Sequence, residues 1–493
     1  MSSTTFRWLA ALLLGLSAVT SAQTVAVIAH RVPGFLETAR ITAGPDGALW
    51  FTAPSRDRIG RITTAGEVTG FLVPTSNSWP FGITTGPDGA LWFTENQTKS
   101  IGRITTAGAI TEYSLPNFLA SPLEITTGPD LALWFTSSNA IGRITTDGAV
   151  SAYPLPLGVK SAAGITAGPD GALWFTENQD GRIGRITTAG VITEYSLPNA
   201  SSYPISIVSG PDGALWFTEH YANRIGRITP EGAITEYDLP QSDSEPNIIT
   251  SGPDGALWFT EVRINMVGRI TTAGVITEYS TSFPYCFPSG IAAGPDGAIW
   301  FGAFGARVIG QAVFTTAVLT ADPIGGSPGS SVTRTGNGFD SGESVNFYAN
   351  STSANLVGTT VADAQGSFIA PGRVREGPYG AYSVAAVGQT SGKIGVAPFF
   401  VTATLVLGPG SVPPGGEVVV QGFGFAADER VRFYWNDRYT QVEGVAQTDA
   451  RGRFSGDRTV TLTVPANAPP GPNVVYGYGL DSEAVGKGYV NVQ

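Results

Sequence analysis

Residues 86–95 read GPDGALWFTE, and this phrase recurs with small changes through the first three fifths of the chain. Each copy contains one tryptophan, and successive tryptophans are 40 or 42 residues apart in the sequence. The seven positions are Trp50, Trp92, Trp134, Trp174, Trp216, Trp258 and Trp300. Self-similarity at a fixed spacing of about 40 residues is the signature of a repeat protein. The phrase therefore predicts seven copies of one supersecondary unit.

Each repeat contains four short runs of β-branched and aromatic residues, which favour strands. In the repeat around Trp92 these runs are residues 81–85, 90–95, 100–105 and 109–115. GPDG separates the first two runs and Thr-Ala-Gly the last two, and both are tight-turn sequences in which glycine supplies a positive φ. Four strands in about 42 residues is the pattern of a propeller blade, so the chain is predicted to be all-β with a seven-bladed β-propeller.

The start of the mature chain is predicted to close the ring. The seventh repeat has three strand-like runs, and its fourth is missing after residue 313. Residues 27–33, VIAHRVP, align with residues 110–116, ITEYSLP, which form the fourth run of the second repeat. We therefore expect strand 27–33 to complete the last blade and protect its edge, within a propeller domain spanning residues 24–314.

A second, different repeat follows the propeller. GNGF at residues 336–339 recurs as GFGF at 422–425, and Asp363-Ala364 recurs as Asp449-Ala450, so the offset is 86 residues throughout. Two copies of this length, rich in strand-forming residues, fit two immunoglobulin-like β-sandwiches, predicted at residues 315–402 and 403–493. Modules of this kind usually act as spacers or in adhesion.

The N-terminal residues predict export. In residues 1–22, Arg7 precedes the apolar run 8–16, and small residues then offer a cleavage site, as in a signal peptide. We therefore expect a secreted protein, extracellular or periplasmic. The apolar run is too short for a membrane span, and no later stretch is apolar enough. The net charge of −11 argues against nucleic acid and anionic membranes as partners. The protein is expected to be a monomer.

Candidate site residues come from the face of the propeller that carries the variable loops, because variable loops on a rigid scaffold are where binding usually occurs. The second runs of four repeats end in Glu, at Glu95, Glu177, Glu219 and Glu261. Placed around the channel mouth, these carboxylates form a half-ring that suits a hard cation or a polar, basic ligand. The alternative is that they are solvated ends of a copied motif.

The chain has two histidines. His30 falls in the predicted closing strand, where other repeats carry Tyr, and is expected to be structural. His220 follows Glu219 on the variable face, so it is the candidate for acid–base chemistry there, with a rim histidine of no special role as the alternative. The single cysteine, Cys286, excludes an intramolecular disulfide and is expected to be an unreactive side chain.

The repeat phrases PxGITxGPDGALWFTE and IGRITTxGxITEYxLP resemble those of the virginiamycin B lyase family, also called streptogramin lyases, over roughly residues 24–314. The resemblance implies a seven-bladed propeller that opens the ester of a cyclic peptide antibiotic by elimination. It also implies Mg²⁺ and a general base, which removes a proton next to a carbonyl.

The resemblance fails at the family's catalytic histidines, which follow Pro at the starts of first strands. The residues at those positions here are Ala39, Phe81, Leu123, Ala163, Ile205, Asn247 and Ser289. None is His, and the nearest match is Glu245-Pro246-Asn247. An amide takes no proton at neutral pH, so elimination of the family type requires another base.

Two functions follow as alternatives. In the first, the propeller binds an extracellular peptide, glycan or cell-wall ligand, with Asn247, Glu95 and Glu177 as ligand-binding candidates. In the second, a metal-dependent lyase opens a cyclic peptide lactone, with His220 as catalytic base and metal ligands on the same face. The candidate metal ligands are Glu219, Glu245 and Glu261. A purely structural or adhesive role is a third alternative.

Overall fold

The computed structural model describes residues 24–32, 37–159, 161–281, 286–304, 308–374, 380–426, 428–436, 441–480, 482 and 484–493. The predicted signal peptide, residues 1–22, lies outside the described residues. Eleven sheets contain all the described strands, and the two short 3-10 turns are Pro54–Arg56 and Gly456–Arg458. No helix among the described residues is long and apolar enough to cross a membrane. The predicted all-β fold is confirmed.

Seven of the sheets are four-stranded antiparallel blades, here numbered 1 to 7, each with strands a to d from the axis outward. Blades 1 to 3 consist of Ile41–Ala43, Leu49–Ala53, Arg58–Ile62 and Val68–Leu72; Pro80–Thr85, Leu91–Glu95, Ser100–Ile104 and Ile110–Ser114; and Pro122–Thr127, Leu133–Ser137, Ala140–Ile144 and Val150–Pro154. Blades 4 to 6 consist of Ile165–Ala167, Leu173–Glu177, Arg182–Ile186 and Ile192–Ser196; Pro204–Ser209, Leu215–Glu219, Arg224–Ile228 and Ile234–Asp238; and Pro246–Ser251, Leu257–Glu261, Met266–Ile270 and Ile276–Ser280.

Blade 7 is assembled from both ends of the propeller. Its strands are Pro288–Ala293, Ile299–Ala303, Val308–Thr315 and Thr24–Arg31. The last of these pairs antiparallel with Val308–Thr315 over eight residues, from Thr24 opposite Thr315 to Arg31 opposite Val308. The chain thus fastens the ring with backbone hydrogen bonds, and the closing strand covers the edge of Val308–Thr315.

A repeated polar cluster links the GPDG turn to the blade interior. In blade 2, the indole N–H of the buried Trp92 donates to Asp88 Oδ1 at 3.0 Å. The other carboxylate oxygen of Asp88 accepts from Arg103 Nε at 2.6 Å. Gly86 is required because a Cβ there would lie 2.4 Å from the Trp92 ring. The repeated phrase therefore encodes blade packing, and its Asp is used for structure.

In six of the seven blades, a threonine on strand b ties the blade to the next one. Thr94 Oγ1 accepts a hydrogen bond from the Gly82 N–H at 2.9 Å and donates to the Leu123 carbonyl of blade 3 at 2.6 Å. The same cross-blade donation is made by Thr52, Thr136, Thr176, Thr218 and Thr260. Blade 7 has Gly302 at this position, and there Ser289 Oγ donates to the Thr38 carbonyl of blade 1 instead.

The remaining four sheets form two β-sandwiches of three strands against five. The strands of the first are Val318–Asp322, Gly325–Gly326, Ser331–Asn337, Ser344–Ala349, Leu356–Val361, Phe368–Arg373, Gly380–Gly388 and Ile394–Val401. Those of the second are Thr404–Gly408, Ser411–Val412, Glu417–Phe423, Arg430–Trp435, Gln441–Gln447, Val460–Thr463, Gly471–Gly479 and Val485–Val492. Each sandwich has its own apolar core, as two independent copies of one unit require.

The first sandwich packs against the strand that closes the ring. Strands Gly380–Gly388 and Ile394–Val401 both contact Thr24–Arg31. The guanidinium of Arg31 lies 5.9 Å from the centre of the Tyr382 ring, and Val396 packs against the core cluster that contains Ile28. The closing strand is therefore covered on its outer side by the neighbouring domain.

Candidate functional site

The loops that join strands b to c and d to a lie on one face of the propeller, which we call the rim face. The two loop types hydrogen-bond to each other through backbone groups. In blade 5, the His220 N–H donates to the Tyr203 carbonyl at 3.2 Å, and the Tyr221 N–H donates to the Ser202 carbonyl at 3.0 Å. In blade 2, the Asn96 N–H donates to the Trp79 carbonyl at 3.2 Å. Bonds of this kind occur in blades 2, 5, 6 and 7, where they fix the position of the residue that precedes the innermost strand.

Aromatic residues occupy that place in three blades, with an unusual backbone conformation. Trp79, Tyr203 and Phe287 have φ values of 55°, 56° and 45°. Positive φ is a genuine outlier for bulky side chains, and such residues persist where the surroundings hold them. Asp57 Oδ1 accepts from the Trp79 N–H at 3.1 Å and Asn265 Oδ1 from the Phe287 N–H at 3.0 Å.

The aromatic rings on the rim are open to solvent. Trp79 and Phe287 are each 41% exposed, and Tyr221 is 67% exposed. Tyr221 lies beside Tyr203, with 4.6 Å between the two ring centres. Exposed tryptophan and tyrosine offer large, rigid, amphipathic contact surfaces, which are common in binding sites. Sequence reasoning missed these residues, although aromatic residues before Pro in several repeats were a visible signal.

His220 lies next to this aromatic pair. Its ring centre is 5.0 Å from that of Tyr221 and 6.4 Å from that of Tyr203. Its Nδ1 is 3.2 Å from the carbonyl oxygen of Pro246, and because a carbonyl oxygen only accepts, Nδ1–H is the donor of this hydrogen bond. In blade 2, Asn96 makes the equivalent bond, from Nδ2 to the Pro122 carbonyl at 3.0 Å. His220 therefore has a structural role on the rim, and its catalytic role stays a prediction.

The channel contains an ion pair that sequence reasoning also missed. Arg40 of blade 1 bonds to the carboxylate of Glu124 in blade 3, and its guanidinium lies 4.4 Å from the centre of the Phe81 ring in blade 2. The equivalent residue is Gly in three blades, namely Gly82, Gly164 and Gly290. The available signal was two opposite charges at a position that holds an uncharged residue in the other five blades.

The four glutamates at the ends of strands b do not line the channel, which corrects the expected half-ring. Glu95, Glu177, Glu219 and Glu261 are all 0% exposed. Successive side chains on a strand point to opposite faces, so each Glu shares the face of the buried Phe two residues earlier. The Oε1 of Glu261 lies over Gly268 on strand c, where a Cβ would be 2.7 Å away. The side chains therefore run outward between blades.

Each of these glutamates faces a second Glu on the outermost strand of its own blade. The pairs are Glu95 with Glu112, Glu177 with Glu194, Glu219 with Glu236, and Glu261 with Glu278. Burial, together with the neighbouring Glu236 carboxylate, raises the pKa of Glu219 to about 7. Burial is also the main reason that the pKa of Glu261 rises to about 8. The pKa values of Glu95 and Glu177 shift upward for the same two reasons.

The candidate metal ligands are not brought together. Glu245 on the rim is paired with Arg263, with 3.1 Å between Oε1 and Nη1, whereas Glu219 and Glu261 are buried in separate blades. Within the described ranges, no three His, Cys, Asp or Glu side chains lie close enough to hold a metal ion. These residues therefore do not fit the Mg²⁺ that the family resemblance implies, and no step is assigned to it.

The other predicted residues have distinct environments. Asn247 is partly exposed on strand a of blade 6, and its carbonyl accepts from Thr218 Oγ1 at 2.7 Å. His30 is buried, stacks on Trp300 with 4.8 Å between ring centres, and bonds through Nε2 to Gln311 at 2.9 Å. This environment agrees with the structural role expected of His30. Burial raises the pKa of the Cys286 thiol to about 12, so the thiol stays protonated.

Comparison with known proteins supports one family. The model of the virginiamycin B lyase family matches residues 17–173 and 158–321. A streptogramin B lyase structure is 39% identical in sequence, with a TM-score of 0.57, and the match covers 59% of this chain and 98% of that one. A virginiamycin B lyase from Staphylococcus aureus is 41% identical, with a TM-score of 0.56, over 59% of this chain and 100% of that one.

A catalytically inactive variant of the Staphylococcus aureus enzyme, solved with quinupristin, is 40% identical over the same shares of the two chains, with a TM-score of 0.57. The propeller domain of Doa1, at 12% identity and a TM-score of 0.50, shares the fold alone. The search of curated proteins returned no match. The family model spans more than half of the chain and agrees with the seven four-stranded blades, so this chain belongs to the virginiamycin B lyase family.

Proposed function

We propose that this protein is a secreted binding propeller, which holds an extracellular peptide, glycan or cell-wall ligand on its rim face. The observation that carries the proposal is the set of aromatic rings at the loop ends of blades 2, 5 and 7: the exposed Trp79, Tyr221 and Phe287, with the partly buried Tyr203 beside Tyr221. Rings of this kind stack on the apolar faces of sugars and on peptide side chains while their polar atoms stay hydrated.

The environment of the channel mouth supports binding over chemistry. The positions where the resemblance implies catalytic histidines hold residues that take no proton at neutral pH, such as Asn247 and Ile205. The two C-terminal sandwiches, which we propose to be immunoglobulin-like spacers, would hold the rim away from a surface. Specific binding with no bond cleavage is the activity that these residues suit best.

The binding proposal is tested by retention of the purified protein on insoluble peptidoglycan and on immobilised chito-oligosaccharides. We expect the wild-type protein to be retained on at least one, and the double variant Trp79→Ala, Tyr221→Ala to bind at least tenfold more weakly. Tyr489→Ala is the matched control, because this exposed tyrosine lies on the second sandwich. Equal retention of all three proteins would refute a role for the rim.

The lyase alternative is favoured by family membership and by the Nε2 of His220, which faces away from its carbonyl partner. In this alternative, Nε2 takes a proton from a carbon that is next to a carbonyl and bonded to the carbon that bears the ester oxygen. The electron pair forms a C=C bond, the C–O bond to the ester oxygen breaks, and the carboxylate leaves, still joined to the opened chain. Quinupristin incubated with the protein, with and without Mg²⁺, is then analysed by chromatography. Linear product that is lost in His220→Ala would establish the lyase; its absence, beside an active family enzyme, leaves the binding role.

A further inference from the structure

The first β-sandwich contains a cavity of about 260 Å³ between its two sheets. Its walls are mainly apolar and include Val332, Val357 and Phe399. Two arginines, Arg334 and Arg373, also line it, and no acidic residue of the described chain does. This volume is just below the ~300 Å³ at which small-molecule pockets usually begin, so the space suits a compact ligand.

Arg334 is unusual because its side chain points into the sandwich core. Arg334 is 5% exposed, and its Nε is buried without a hydrogen-bond partner. Its guanidinium carbon lies 5.0 Å from the centre of the Phe347 ring. It makes no ion pair with any acidic side chain that the structure describes. A guanidinium keeps its proton inside proteins, so this is a buried charge with no counter-ion among the residues that the structure describes.

The second sandwich shows that the fold does not need this arginine. The strands Ser331–Asn337 and Glu417–Phe423 are equivalent, with an offset of 86 residues, and Val420 occupies the position of Arg334. On the paired strand, Gly372 lies opposite Val332, whereas Leu462 lies opposite Val418. A Cβ on Gly372 would be 2.7 Å from the Arg334 guanidinium carbon, so this glycine makes room for the charge.

The two copies therefore differ in a coordinated way. One fills the space with Val420 and Leu462, and the other uses Arg334 and Gly372 beside an open cavity. Arg373, the second arginine at the cavity, donates from Nη1 to the Gly329 carbonyl at 2.9 Å and is held at its edge. A paired arginine–glycine replacement that leaves a cavity and an unneutralised charge is the arrangement of an anion-binding pocket.

We propose that the first sandwich binds a small amphipathic monocarboxylate, with the carboxylate on Arg334 and the apolar body against Val332, Val357 and Phe399. The planar guanidinium pairs with a carboxylate through two parallel N–H···O bonds, which supplies the missing counter-ion. The apolar walls favour an aliphatic or arylalkyl body over a sugar or an inorganic anion. This site is separate from the rim of the propeller and independent of the proposed function.

The test uses the full chain without its signal peptide, and octanoate and 3-phenylpropionate as probes. Isothermal titration calorimetry should show saturable binding of at least one of them and none of octanamide, which has the same body without the charge. Arg334→Val, which copies the second sandwich, should weaken binding at least tenfold. Arg432→Gln, an exposed arginine of the second sandwich, is the control and should leave binding unchanged.

Two further measurements guard against a variant that does not fold. Val357→Phe keeps Arg334 but fills the cavity, and it should abolish binding while the thermal unfolding transition is kept. The comparison of octanoate with octanamide needs no variant at all. Any of three results would overturn the proposal: equal binding of octanoate and octanamide by the wild-type protein, no binding of either carboxylate, or undiminished binding of the carboxylates by folded Arg334→Val.

Discussion

At the scale of single residues, the side chain that stacks on the blade tryptophan differs between blade 7 and blades 2 to 6. In blades 2 to 6, a Tyr on strand d stacks on the blade tryptophan, as Tyr113 does on Trp92 with 5.4 Å between ring centres. In blade 7, His30 takes this place, and Gln311 takes the place of the arginine. Because the site is buried, the pKa of His30 is lowered to about 4.

His30 should make the protein sensitive to acid. The unfolded chain protonates this histidine below pH 6.5, whereas the folded protein resists until about pH 4, so the stability that neutral His30 confers is present above pH 6.5 and lost as the pH falls toward 4. At pH 4.5, the loss in free energy of unfolding should be about 2–3 kcal/mol smaller in His30→Tyr than in the wild-type protein. Urea unfolding at pH 7.5 and at pH 4.5 measures this free energy. Tyr113→Phe is the control, and an unchanged acid sensitivity in His30→Tyr would contradict the buried stack.

At the scale of strands and blades, a buried Glu on strand b faces a second Glu on strand d in each of blades 2, 4, 5 and 6. A buried carboxyl group beside a second carboxyl group ionises less readily, because burial and the neighbouring negative charge both oppose the charged form. In blade 5, Arg224 offsets part of the charge through Glu236, at 3.0 Å. Blade 6 has Met266 at the position of Arg224, and there the pKa of Glu261 rises to about 8.

The Glu261 pair should make the protein less stable in mild alkali. The unfolded chain releases the proton near pH 4.5, but the folded protein holds it to about pH 8, so the stability that it confers is full at low pH and is lost as the pH rises through 8. At pH 8.5, Glu261→Gln should have a free energy of unfolding roughly 2–4 kcal/mol higher than that of the wild-type protein. The measurement is the melting temperature between pH 5 and 8.5. The control is Glu67→Gln, at an exposed turn, whose melting temperature should change with pH as that of the wild-type protein does. The same pH dependence in Glu261→Gln would show that Glu261 is ionised in the folded protein and would contradict the prediction.

Strands were easier to predict from the sequence than the directions of their side chains. The four runs predicted around Trp92 agree with the observed strands to within a residue at each end, because turn sequences and strand-forming residues mark them directly. Glu95 is buried and does not line the channel, because it shares a strand face with the buried Phe93. The pair of Arg40 with Glu124 spans two blades, and no local pattern links residues 84 positions apart.

At the scale of the whole molecule, the closing strand connects the propeller to the first sandwich. Thr24–Arg31 completes blade 7 on one side and contacts the sandwich strands Gly380–Gly388 and Ile394–Val401 on the other. The propeller is thus a closed, rigid ring whose blades are tied by threonines, and its rim loops can differ between blades without loss of the core. A rigid scaffold with fixed aromatic rings loses little conformational entropy on binding.

The fluorescence of Trp79 can report on ligand binding at the rim face. The seven blade tryptophans are fully buried and Trp435 is 4% exposed, whereas Trp79 is 41% exposed on the rim. Quenching of tryptophan fluorescence by acrylamide therefore reports mainly on Trp79 among the described tryptophans. The direct measurement is this quenching with and without soluble peptidoglycan fragments or chito-oligosaccharides. A rim ligand should protect the quenchable fraction, and Trp79→Phe should lack that fraction; a ligand that binds while Trp79 stays fully quenchable would contradict the account.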